Sequence, residues 1–158
     1  MKKSSSQPQK EEFLEDENED IELSETGEVV LPPLIQPSRY EVQFLRADKK
    51  KFFRRQKLFL WFQIITPGEF HGNQLYLVCD ITSRKKWHSS SKFLQTWVLA
   101  VGKKPDRYDR MSTKVFRGKV FLADVVTVTK NARGWERPPA LQYSVIRGLV
   151  RRLTDSYE

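Results

Sequence analysis

Period-two alternation restricts this chain more than any other feature. Over Lys119–Lys130, Val120, Leu122, Asp124, Val126 and Val128 alternate with Phe121, Ala123, Val125, Thr127 and Thr129. An extended strand sorts such a run onto two faces, because successive side chains point to opposite sides of the backbone. Tyr40, Val42 and Phe44 alternate in the same way with Glu41 and Gln43, which predicts a half-buried first strand ending near Ala47. Leu58–Ile65, dense in β-branched and aromatic residues, predicts a strongly buried second strand, closed by the Pro67-Gly68 turn signal. Gln74–Ile81, after Gly72-Asn73, predicts a third.

One stretch breaks the pattern. Phe93, Leu94, Trp97, Val98 and Val101 fall at helical spacing within 90–101, with serines available to cap the start and Gly102 the end. Segments 48–57, 102–112 and 131–140 read as charged loops, the first as a loop or extended tip. Leu141–Leu153 reads as a last strand running into a helix. Helices do not alternate with strands, so a parallel α/β architecture is not expected. The expectation is a mainly β fold, a small antiparallel barrel of order β-β-β-α-β-β. That order resembles the oligonucleotide/oligosaccharide-binding (OB) fold, whose loops between strands 1–2 and 4–5 line the binding face.

Charge divides the chain. Residues 1–38 carry ten acidic and three basic side chains, net −7; residues 39–158 carry 25 basic and ten acidic ones, net +15. The sequence thus predicts a disordered acidic N-terminal arm with a proline-rich lead-in over 1–38, and a basic OB-like domain over 39–158. Residues 1–28 hold too little apolar surface to offset the entropy of ordering them. A cationic body with aromatics among its charges points to a polyanionic partner, most often nucleic acid.

Several clusters would carry that binding. The strongest is Lys49, Lys50, Lys51, Phe52, Phe53, Arg54, Arg55 and Lys57, at the place of the first inter-strand loop. Phosphates need fixed positive charge and unstacked bases need a flat apolar partner; single-strand binders combine the two. The alternative is a solvated hairpin tip with both phenylalanines folded into the core. Arg84, Lys85, Lys86 and Trp87 repeat the chemistry, unless Trp87 packs against the helix. Arg107 and Arg110 would contact phosphate, or pair with Asp106 and Asp109. Arg133 and Trp135 resemble another stacking position. Trp61 and Tyr76, with Phe59, Phe62 and Trp97, read first as core, yet Trp61 or Tyr76 on an outward strand face would make a stacking platform. In the arm, Phe13, Leu14, Ile21 and Leu23 among acidic residues have the look of a docking peptide for a replication or recombination protein. The arm reads equally as a solvating tail or as a tethered competitor for the basic body.

Other chemistries find little support. Cys79 is the only cysteine, and with His71 and His88 it cannot supply a zinc site. There is no phosphate-binding glycine loop of the P-loop or dinucleotide type, and no spacing that gathers body carboxylates into a two-metal site. No enzyme activity, cofactor or metal is expected. No apolar run approaches the roughly 20 residues of a membrane helix, Met1–Ser6 is not followed by the apolar segment of a secretory signal, and a lone thiol fits a reducing cytoplasm.

Trp97–Gly102, Pro105–Ser112, Val115–Lys119, Val125–Val128 and Tyr143–Val145 together resemble small OB-fold single-stranded-DNA-binding proteins of phages and other mobile elements, over about residues 39–150. The resemblance implies sequence-tolerant binding of single strands, as an accessory to replication, recombination or transposition; the partner is single-stranded DNA or RNA, a choice the residues leave open. It departs from the better-known bacterial single-strand binders, whose acidic recruiting tail is C-terminal. The competing expectation is a basic protein–protein adaptor or inhibitor that docks on an acidic partner.

Overall fold

In the computed structural model, which describes residues 22–23, 29–30, 32–52, 54–81 and 91–155, the first two strands form one long hairpin. Strand β1 (Ser38–Phe52) and strand β2 (Arg55–Ile64) run antiparallel, and their ladder reaches Phe52 opposite Arg55. The first strand thus continues five residues past the expected end at Ala47. Lysine has little strand preference of its own; Lys49, Lys50 and Lys51 are extended because each has a ladder partner, Leu58, Lys57 and Gln56. The 48–57 cluster is accordingly the extended tip of a hairpin rather than a loop.

Strand β3 (Gln74–Asp80) pairs antiparallel with β2. Helix α1 (Lys92–Val101) follows, then a 3-10 turn at Thr113–Phe116, strand β4 (Lys119–Val128) and strand β5 (Tyr143–Asp155). The strands form a five-stranded antiparallel sheet in the order β3-β2-β1-β4-β5. That sheet is open, with β3 and β5 at its edges, so the barrel expected from the strand count is met only as a mainly β fold with one helix. The helix expected near the end of the chain is absent among the described residues: Tyr143–Asp155 is strand throughout. Its β-branched residues and its place beside β4 outweigh the helical spacing of Val150 and Leu153.

The described residues fall into two compact units. One comprises Gln36–Val126 and the chain from Val145 onward; the other comprises Thr127–Ser144 with the described part of the segment up to Ile35. In the first, Val42, Leu58, Leu60, Phe62, Ile64, Leu75, Leu77 and Phe121 are buried, each adding roughly 1.5–3 kcal/mol by leaving water. Register places these side chains on one face of the sheet. Phe44, Phe62, Phe116 and Phe121 meet ring to ring there, at centroid distances of 5.5–6.2 Å. Helix α1 packs on β3 and on the 3-10 turn, burying Phe93, Thr96, Trp97 and Ala100, the i, i+3, i+4, i+7 stripe of a single helix face. The Ser91 hydroxyl accepts from the Leu94 amide, and Gly102 ends the helix at φ 94°, a left-handed cap natural to glycine. Arg152 donates to the carbonyl of Ala100 at 2.9 Å, occupying an acceptor the last turn leaves over.

In the second unit the proline-rich lead-in lies against the start of β5. The buried Ser144 hydroxyl accepts from the Ile35 amide and donates to the Ile35 carbonyl, while the Ser144 amide donates to the carbonyl of Pro33. The lead-in, whose prolines exclude a helix interior, is therefore held by Ser144, through two bonds of its hydroxyl and one of its amide. Within the expected disordered arm the described residues form a short antiparallel ladder, Glu22–Leu23 with Val29–Val30; Phe13, Leu14 and Ile21 lie outside the described residues.

Candidate nucleic-acid interface

The face of the β1–β2–β3 meander that does not carry the aliphatic core has a different composition. A bulge between Phe44 and Arg46 sets it: Phe44 pairs with Phe62, and the next pair is Arg46 with Trp61, leaving Leu45 as the extra residue. Side chains alternate along a strand, so this one insertion exchanges the faces of everything from Arg46 to Phe52. Arg46, Asp48 and Lys50 then share a face with Trp61, Phe59 and Lys57, and across β2 with Tyr76, Val78 and Asp80.

Cations and rings interleave on that face. The Arg46 guanidinium lies 4.7 Å from the Trp61 ring centroid, and the Lys50 ammonium 5.4 Å from that of Phe59. At such partly exposed sites a cation over a ring contributes about 0.5–1 kcal/mol. Tyr76 meets both Trp61 and Phe59 edge-to-face, at 5.1 Å each. Phe59 and Tyr76 are buried, at 2% and 3% exposed, whereas Trp61 is half-buried. Trp61 therefore offers ring surface and Tyr76 supports it from below. Tyr76 itself, 3% exposed, presents no ring surface for the outward platform that the sequence left open. At the tip, Lys49, Lys51, Arg54 and Arg55 are exposed, and Arg55 is tied to Asp80 at 2.6 Å. Arg46 also approaches Asp48 at 3.4 Å.

A cleft of about 560 Å³ opens on the other side of the hairpin. Ala47, Leu58, Ile81, Phe93 and Met111 give it an apolar floor, and Lys49, Tyr108, Asp109 and Thr113 its rim. The loop that carries the rim is anchored by the Trp97 indole N–H, which donates to the carbonyl of Ser112 at 3.0 Å, and by the Ser112 hydroxyl, which accepts from the Lys114 amide. Arg107 binds Asp109 through two bonds, Nε to Oδ1 at 3.1 Å and Nη2 to Oδ2 at 2.8 Å. That pairing was the alternative reading of Arg107, and the Arg107 hydrogen bond holds the Asp109 carboxyl below its usual range. Arg110 is exposed on the same loop.

In the other unit, the loop between β4 and β5 is built to present a tryptophan. The Asn131 carboxamide oxygen accepts from the amides of Arg133 and Trp135, at 2.9 and 3.0 Å. Gly134 supplies the positive φ of 84° that the turn requires. Trp135, 64% exposed, has the Arg133 guanidinium 5.6 Å from its ring centroid. Arg137 lies similarly over Tyr143, at 5.2 Å.

Of the remaining expected residues, Phe53, Arg84, Lys85, Lys86 and Trp87 lie outside the described residues, as does the side chain of Phe52. Sequence reasoning missed Arg46 and the cleft floor. The broken alternation Phe44-Leu45-Arg46 was the available signal for the first; the floor residues look like any strand or helix core. Among the described residues no cluster of three or more potential ligands could hold a metal ion, and no helix is long and apolar enough to cross a membrane. Cys79 is fully buried, and burial pushes its thiol up to about 12, outweighing the opposite pull of Lys92. No family model, curated protein or solved structure matches the chain.

Proposed function

We propose that this protein binds single-stranded nucleic acid, DNA in the first instance, with little dependence on sequence, as an accessory to replication, recombination or transposition. The observation that carries the reading is the cation–aromatic face of the hairpin: Arg46 over Trp61 and Lys50 over Phe59, with Lys57 on the same face and Lys49, Lys51 and Arg54 at the tip. A single strand would set a base against the part of the Trp61 ring that is exposed, with the buried Phe59 as its support, and phosphates against the cations. Duplex DNA keeps its bases stacked inside and would gain only the phosphate contacts. Trp135, in its own unit, would stack a base in the same manner.

The strand order supports an OB-like relationship. A meander 3-2-1 extended by strands 4 and 5 becomes a five-stranded barrel once its third and fifth strands pair, and OB barrels are often partly open. The competing reading, an adaptor for an acidic protein, draws on the exposed Leu34, Trp135 and Leu141 of the smaller unit. Competition between a labelled single strand and unlabelled duplex of the same sequence tests the choice. The proposal expects duplex to compete at least about tenfold more weakly; equal competition by duplex, or no binding of either, contradicts it.

A further inference from the structure

We propose that the cleft on the other side of the hairpin receives one unstacked base of a bound strand that passes from the Trp61 face around the hairpin at Lys49, and favours bases whose edge carries an amino group. The inference rests on the single-strand reading and adds to it a site and a selectivity. At about 560 Å³ the cleft is in the range of small-ligand sites, and its floor of Leu58, Ile81, Phe93 and Met111 suits a flat heteroaromatic ring. Tyr108, 44% exposed, stands at the rim where its ring can cover a base from the solvent side. Lys49, also on the rim, provides the positive charge for an adjoining phosphate.

Asp109 supplies the selectivity. An ionised carboxylate only accepts hydrogen bonds, and each of its oxygens has room for more than one donor. The two bonds from Arg107 fix its plane and use one acceptor position on each oxygen. The remaining positions suit the exocyclic amine of cytosine, as acidic side chains do when they read that base. Thymine presents a carbonyl oxygen, another acceptor, at the same place. The Arg107 charge also keeps the carboxylate from repelling the strand. Arg107 thus acts as a positioning residue for Asp109 rather than as a phosphate contact.

Anisotropy titrations of the full chain with labelled oligo(dC) and oligo(dT) of matched length at pH 8 test this. The wild type should bind oligo(dC) about fivefold more tightly, a modest share of what a good base contact gives. Asp109→Asn, at an exposed position where folding is not at stake, should bring the two affinities together, since a carboxamide both donates and accepts. Equal affinities in the wild type, or a preference that survives the substitution, would overturn the proposal while leaving single-strand binding intact. Failure to bind either oligonucleotide would remove the single-strand reading and this inference with it.

Discussion

Trp61 and Arg46 show how one pair of side chains can serve an unbound and a bound state. Without ligand, the guanidinium covers part of the indole; with a strand present, a base is the better partner for the ring and a phosphate for the cation. Stacking is typically worth about 1–3 kcal/mol per base, so Trp61→Ala should weaken oligo(dT) binding by about tenfold, read by anisotropy. Arg46→Ala should cost less and should also flatten the salt dependence, because one phosphate contact is lost. Cys79 makes the opposite case, a reactive group made inert. With its thiol pushed up to about 12, almost no thiolate exists at pH 8, and burial closes access besides. Iodoacetamide should leave the native chain unlabelled and label it fully in denaturant, as measured by mass; rapid native labelling would contradict the burial. At this scale the sequence was informative about type and silent about facing. Phe59, Phe62 and Trp97 read correctly as core, but nothing short of the ladder register could tell that Trp61 keeps part of its ring exposed while Tyr76 does not.

The bulge at Leu45 absorbs one residue, so that Arg46 follows Phe44 in the ladder and faces Trp61. Deleting Leu45 would remove the bulge yet keep the pairs Phe44–Phe62 and Arg46–Trp61, leaving Arg46, Asp48 and Lys50 on their present face. The expected result is a retained fold with oligonucleotide binding preserved, followed by calorimetry and anisotropy; loss of binding in a folded variant would contradict this register. The β4–β5 loop offers a second test. Gly134→Ala forces a side chain into positive φ and should cost about 1 kcal/mol, with weaker ordering of Trp135. Helix α1 was legible almost to the residue, since serine and glycine caps and a 3.6-residue stripe coincide there. The extension of β1 past Ala47 was not, because local preference argues against a strand of lysines and only pairing with β2 produces one. The error at β5 has the same origin: Val150 and Leu153 keep helical spacing, yet a neighbouring strand decides the conformation.

For the whole molecule, charge sets the physics of association. The net +15 over residues 39–158 should steer polyanions and make affinity fall with ionic strength. With about four phosphates neutralised, log K against log salt should have a slope of roughly −3 for a single strand. A flat line would remove the electrostatic part of the account. Mainly β architecture followed directly from period-two runs that no helix could accommodate. Closure of the sheet did not, because it depends on whether the third and fifth strands meet, and no local pattern encodes that. The cleft was equally hidden, since it arises only where β1, the start of α1 and the 106–113 loop converge.

The most direct measurement is intrinsic tryptophan emission during titration with oligo(dT) of increasing length, with a duplex control and two salt concentrations. The account predicts quenching that deepens with length to a plateau, weakens with salt, is far smaller with duplex and shrinks in Trp61→Phe. Equal quenching by duplex, or none by any strand, would contradict base stacking on the hairpin face.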